Sequence, residues 1–160
     1  MTVPLRYILL AILFAFPLGC KSRKTVFEQQ KEVLDAINSL SEAYLDGDVQ
    51  QAKECLNKSA TILQQTTILE PSGRADLLTL TYFRLYCLDE RIGDKVSAKA
   101  DLVRAKYWRL TAGLLSGGSS QEVIEIIDDL GTERIQKEID SRDSNHHNGH
   151  PARYISLLKQ

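Results

Sequence analysis

Between residues 26 and 115 the apolar positions recur at steps of three and four, broken by short Gly-Asp punctuation, and this pattern predicts four successive helices. Val33, Ile37, Leu40 and Tyr44 share one face of a first helix over residues 26–45. Thr25 with Glu28 opens it as a Thr-x-x-Glu capping box, and Asp46-Gly47-Asp48 closes it. Asp48 can cap a second helix that puts Ala52, Cys55, Leu56, Ser59, Ile62 and Leu63 on one side, turns Lys53, Glu54, Asn57 and Lys58 away, and stops before Pro71. A third helix, residues 73–91, is apolar on nearly every side, from Leu77 and Leu78 through Tyr82 and Phe83 to Cys87 and Leu88. An all-round apolar helix belongs at the centre of a domain. After Gly93-Asp94 a fourth helix runs to Leu115 with two stripes: large residues at Val96, Ala100, Val103, Tyr107, Leu110 and Leu114, and small ones at Ala98, Ala105 and Ala112. Small residues let a neighbouring helix approach closely.

Beyond Ser116-Gly117-Gly118 the periods shorten. Ser119 and Glu122 form another capping box ahead of Val123, Ile124, Ile126, Ile127 and Leu130, an amphipathic helix ended by Gly131 and expected to cover an open end of the stack. One more helix is expected through Ile135 and Ile139, closing a helical domain of residues 26–142. Residues 143–160 read as a polar loop and a short C-terminal segment. Such a stretch buries too little apolar area to offset its ordering entropy, so it is expected to add little, except where Tyr154, Ile155, Leu157 and Leu158 could dock. No segment alternates with period two over strand length, and Pro occurs only at positions 4, 17, 71 and 151. The fold class is therefore all-α: antiparallel helical hairpins, about five to six helices.

The two halves of the helical domain look alike, since Gly47 and Ala52 are matched by Gly93 and Ala98 at the same offset. With Ala105 and Ser59 as further small positions on the second helices, this resembles the tetratricopeptide repeat, in which a Gly closes one helix and small residues on the next pack against it. The resemblance implies stacked helical hairpins with a groove for a peptide or partner helix. A plain helix bundle is the other architecture with these elements.

The N-terminus has a different grammar. Arg6 precedes an unbroken apolar run from Tyr7 to Phe16, followed by Pro17-Leu18-Gly19-Cys20. This is the layout of an export leader, and a run of that length is short for a bilayer core, which needs roughly 20 helical residues, so removal is the expected outcome, with plain secretion and an uncleaved anchor as the other readings. Ending on Gly-Cys, it resembles the lipobox of bacterial lipoproteins. The resemblance implies a signal peptide over residues 1–19, acylation of Cys20, a lipidated tether over residues 20–25, and anchorage to an envelope membrane, on its periplasmic face in a Gram-negative cell. More than one acyl chain is needed for stable anchoring, and the modification supplies three.

Charge and chemistry narrow the function only by exclusion. Arg6 is the leader's single charged side chain, so the rest of the protein carries 19 basic residues against 21 acidic, which argues against a nucleic-acid partner. There is no H-E-x-x-H, G-x-S-x-G, phosphate loop or Cys-x-x-Cys in the sequence, and no cofactor is expected. His146, His147 and His150 are spaced for a metal but sit among polar residues that usually keep histidines solvated, so no metal site is assigned. Gly117-Gly118-Ser119-Ser120 could hold an anion on free N–H groups, yet any capped helix entrance uses the same letters. Cys55 and Cys87 fall on adjacent helices, and after export they could form a disulfide worth roughly 3 to 4 kcal/mol. Lys95, Lys99, Lys106 and Arg109 fall on one side of the fourth helix, where they could meet an acidic partner or lipid head groups, and Trp108 could anchor a partner or pack beneath the C-terminal helix. Two function classes follow: a non-catalytic binding or assembly module, pilotin-like or accessory to an outer-membrane machine, with a protein or peptide partner; and an envelope enzyme whose site no linear motif reveals.

Overall fold

A computed structural model describes residues 24–118 and 131–158. The leader, Cys20, and the helix expected over residues 119–130 lie outside the described residues. Among those described there are six helices and no strand: α1 (Val26–Asp46), α2 (Val49–Gln65), α3 (Pro71–Ile92), α4 (Lys95–Leu115), α5 (Thr132–His146) and α6 (Arg153–Leu157).

The helix ends form where local chemistry places them. Thr25 Oγ1 accepts from the Glu28 amide at 3.2 Å while the Glu28 carboxylate accepts from the Thr25 amide at 2.7 Å, completing the expected box. Asp48 caps α2 and forms a second reciprocal box with Gln51, at 2.9 and 3.1 Å. α3 starts two residues earlier than the apolar pattern suggests, because Glu70 caps it by accepting from the Gly73 amide at 2.9 Å and Pro71 follows as a preset first residue. The two corner glycines serve different needs. Gly93 closes α3 in the left-handed conformation, φ 79°, with its amide bonded back to Asp89 and Glu90. Gly47 is extended, and a Cβ there would come within 2.8 Å of the Ala43 carbonyl oxygen and 2.9 Å of Gln51 Cβ. The matching letters of the two halves therefore mark two different corners.

α3 occupies the expected central place, packing against α2, α4 and α5, while α1 packs on α2 and α6. Its apolar residues feed two clusters. One joins Leu78, Leu85 and Leu88 of α3 to Tyr44 and Leu45 of α1 and Leu56 and Leu63 of α2; the other joins Tyr86 and Cys87 to Ala98 of α4 and Ile135 and Ile139 of α5. α4 meets α3 through Ala98, Ala105 and Ala112, all buried, so the small stripe is the inner one.

Two expectations are corrected. Residues 143–160 are not a loop with a loose tail. α5 continues to His146, Asp143 is 1% exposed, and Tyr154 is fully buried. Asp143 accepts from Arg84 Nε and Nη2 at 2.9 and 2.5 Å and from the Tyr44 hydroxyl at 2.7 Å. Tyr154 shares a hydrogen bond with Tyr44 at 3.1 Å and accepts from Arg91 Nη1 at 2.9 Å, while Arg91 Nη2 donates to both oxygens of Asp140 at 2.6 and 2.7 Å. A segment poor in apolar residues is thus held by paired buried charge, which periodicity cannot register. The Cys55–Cys87 disulfide is also absent, as both thiols are free. Cys55 packs beside the first cluster and Cys87 lies inside the second, so the two face different parts of the core. Burial pushes the Cys87 thiol up to about 12, which suppresses the thiolate that disulfide chemistry needs.

Candidate functional site

With its alanines turned inward, α4 presents its large residues to solvent. Val96 is 84% exposed, Val103 62%, Tyr107 60% and Leu114 48%. Ala100 is exposed and Leu110 half-buried. An isolated exposed apolar side chain on a helix is ordinary, but five exposed ones, with half-buried Leu110 among them, form a stripe along one face.

The cations named from the sequence divide between two places. Lys99 and Lys106 stand at positions bordering the stripe. Lys95, at the helix start, is tied to Glu90 at 2.7 Å. Arg109 turns toward α3 and approaches Asp76 at 3.7 Å. Trp108 is half-buried and packs against the first core cluster, with its ring edge-on to Tyr107 at 5.1 Å between centroids. It is rooted in the fold while its neighbour Tyr107 faces outward.

Arg109 belongs instead to a cleft of about 510 Å³ between α3, α4 and α5. Leu80, Phe83, Ile135 and Ile139 give it apolar walls, and Arg134 and Arg142 stand with Arg109 around it. Asp76 and Glu138 line the same cleft, with Arg142 paired to Glu138 at 3.0 Å, so its charges are largely matched internally. A second cavity of about 500 Å³ beside it brings Asn38, Ser41, Ser59 and Thr81 near Arg84 and His146. Its two guanidiniums are already committed, Arg84 to Asp143 and Arg142 to Glu138.

Between α2, α3 and α4 lies a further polar group. Lys53 bonds Asp89 at 2.6 Å and reaches Asp94 at 3.5 Å. Asp101 is buried nearby and pairs with Arg104 at 2.7 Å. Burial holds the Asp101 carboxyl above the usual range; Arg104 opposes this and the adjacent Asp89 carboxyl reinforces it. The Asp89 hydrogen bond in turn holds the Lys53 ammonium above its ordinary value. These groups cap and staple helices. Arg104 also lies over the Tyr82 ring at 5.7 Å, tying the α4 surface to α3.

The histidines do not gather. His147 contacts Asp46 at 3.0 Å with His150 edge-on at 6.3 Å, whereas His146 lines the second cavity. Among the described residues no group of three or more His, Cys, Asp or Glu is placed to hold a metal ion, and no helix is long and apolar enough to cross a membrane. Gly117 is left-handed, φ 84°, and Ser119 and Ser120 lie outside the described residues. Compared with family models, curated proteins and solved structures, the chain matches none.

Sequence reasoning named every residue of the α4 stripe without telling which stripe faced out. It missed Arg84, Asp101 and Asp143. A charged residue inside an otherwise apolar helical face was the available signal for Arg84, since α3 is apolar on both sides of it.

Proposed function

We propose that this protein is a lipid-anchored envelope protein whose helical domain binds a protein partner on the outer face of α4, without catalysing a reaction. The observation that carries the binding role is the exposure of Val96, Val103 and Tyr107 on one helix face of a chain with a well-formed core elsewhere. Exposed contiguous apolar surface costs solubility and is kept where something covers it. The leader supports the location: an apolar run ending on Gly19-Cys20, then the polar tether Lys21-Ser22-Arg23-Lys24-Thr25, which has no apolar area of its own to hold a membrane. Acylation at Cys20 would keep the domain within a tether's length of the bilayer, raising its effective concentration toward partners in the same membrane.

The test is cell fractionation of the wild type and Cys20→Ala together with mass spectrometry of the mature N-terminus. The expected result is a diacylglyceryl-modified N-terminal Cys20 in the membrane fraction, and a variant that is soluble or stalled as precursor. An intact leader, or a variant that fractionates with the membrane unchanged, would overturn the anchoring.

A further inference from the structure

The outer stripe of α4 has a spacing that a merely exposed face does not require. Val96, Ala100, Val103, Tyr107, Leu110 and Leu114 follow one another at intervals of four, three, four, three and four. That is an uninterrupted a/d seam, with Val96, Val103 and Leu110 at d and Ala100, Tyr107 and Leu114 at a. The inward alanines Ala98, Ala105 and Ala112 then all fall at f, the position opposite the seam. One helix thus carries two heptad faces: the alanine face is used by α3, and the seam faces solvent.

The positions bordering the seam define what fits it. The g positions are Lys99, Lys106 and Gly113, and the e positions Ser97, Arg104 and Thr111: three cations and no acid, with Arg104 also paired inward to Asp101 at 2.7 Å. A second copy of α4 would set Lys99 against Arg104 in a parallel pair, or Lys99 against Lys106 in an antiparallel one, so like charges disfavour self-pairing. A lipid surface needs a broad apolar face, whereas here polar or charged residues begin directly beside the a/d stripe. The chain's own acidic stretch Glu122-Val123-Ile124-Glu125-Ile126-Ile127-Asp128-Asp129 has the right charge, but residues 119–130 as a helix would reach at most about 18 Å, against roughly 27 Å from Val96 to Leu114.

We propose that the seam of α4 pairs with one amphipathic helix of a partner protein that carries apolar a/d positions and acidic e/g positions. This rests on the reading of the α4 outer face as a binding surface, and the two can fail separately. The first experiment uses the full chain in neutral detergent with a labelled three-heptad peptide, Leu at a and d and Glu at e and g, and a twin with Lys at e and g. The expected result is one-to-one binding of the acidic peptide that weakens with salt, the Lys twin binding about tenfold more weakly or worse. Val103→Asp with Tyr107→Asp should abolish binding while the thermal melt stays a single cooperative transition, since both side chains are mostly exposed.

Equal binding of the two peptides, or none, overturns the proposal. If the acidic peptide binds only after Val123→Asp with Ile127→Asp, the seam belongs to the chain's own segment and the proposal is overturned in favour of that occupant. A concentration-dependent dimer abolished by Val103→Asp, or a Trp108 emission shift on nanodiscs containing phosphatidylglycerol but not on phosphatidylcholine discs, overturns it likewise. The second experiment is photocrosslinking in cells from position 103, with the captured segment sequenced. An acidic-flanked heptad helix supports the proposal, and capture of a strand, a loop or a basic helix removes it but leaves the binding surface standing. Capture of no protein removes both.

Discussion

Two regions close on α3 by different means. The α2–α3–α4 side is joined mostly by apolar shape: Leu56 and Leu63 against Leu78 and Leu85, and three alanines that bring α4 close, with the Lys53–Asp89 pair as a staple beside them. The α5–α6 side is joined largely by charge and hydroxyls: Arg84 to Asp143, Tyr44 to Asp143 and Tyr154, and Arg91 to Tyr154 and Asp140. The guanidiniums also lie over the rings they serve, Arg84 5.1 Å from the Tyr44 centroid and Arg91 5.9 Å from that of Tyr154. Apolar packing tolerates many arrangements of similar volume, whereas a buried pair is satisfied in one geometry. The hairpins thus supply most of the cohesion, and the C-terminal clasp selects where α5 and α6 sit.

The largest expected effect breaks the clasp. Asp143→Ala leaves the Arg84 guanidinium buried without its carboxylate, a change that typically costs about 3 to 5 kcal/mol. Ending the chain after Ser141 should cost still more, because Tyr154 leaves as well and exposes Tyr44. Urea melts of both variants measure this, and midpoints within error of the wild type would show the clasp to be ornamental. Arg84→Met combined with Asp143→Leu separates the need for a charge pair from the need for filled space. Replacing a buried pair with apolar side chains of similar bulk is often neutral or stabilising by about 1 to 4 kcal/mol, so the double variant should recover most of what Asp143→Ala loses.

This contrast also marks how far the sequence is readable. The helix boundaries of α1 and α4, the start of α2, the Thr25–Glu28 box, the Asp48 cap and the central place of α3 all come from signals within a few residues of one another, whereas the end of α2 at Gln65 does not. Asp143 does not, since its partners Tyr44 and Arg84 are 99 and 59 positions away and its own neighbours Arg142 and Ser144 are polar. Local pattern says solvent, and long-range pairing overrides it. The α4 stripes fail differently: both are periodic, and periodicity alone does not say that alanines go inward while Val96 and Tyr107 stay out. The a/d spacing of the outer stripe was present in the letters, but only its exposure gives that spacing meaning.

A smaller effect is expected at the seat of α4. Ala105 is fully buried against α3, so Ala105→Leu must part the helices or force a strained rotamer, costing about 1 to 3 kcal/mol. The same change at Ala100, on the outer stripe, should be near neutral. Thermal melts of the pair test the direction in which α4 faces: equal losses would contradict an inner alanine face and an outer seam.

The smallest effect compares two aspartates. Asp143 sits in the clasp with Arg84 almost fully buried beside it, whereas Asp101 sits at the edge of the alanine interface with an Arg104 that is 58% exposed. A partner so open to solvent does little to offset desolvation, which is why burial dominates and the Asp101 carboxyl titrates above its ordinary value of 3.8. A carboxyl raised in the folded state binds more protons folded than unfolded across the interval between the two values. Its contribution to stability is therefore full below the unfolded value and is lost as pH climbs through the raised folded value. Asp101→Asn has nearly the same shape and does not titrate, so the variant should gain on the wild type as pH rises through that window and hold a constant difference above it. Urea midpoints of both proteins, taken at steps from about pH 3 to about pH 8, measure the difference curve across the ordinary and raised carboxyl range. A flat curve would mean that Asp101 titrates as a solvated side chain, and that the close α3–α4 approach through Ala98 and Ala105 does not desolvate it.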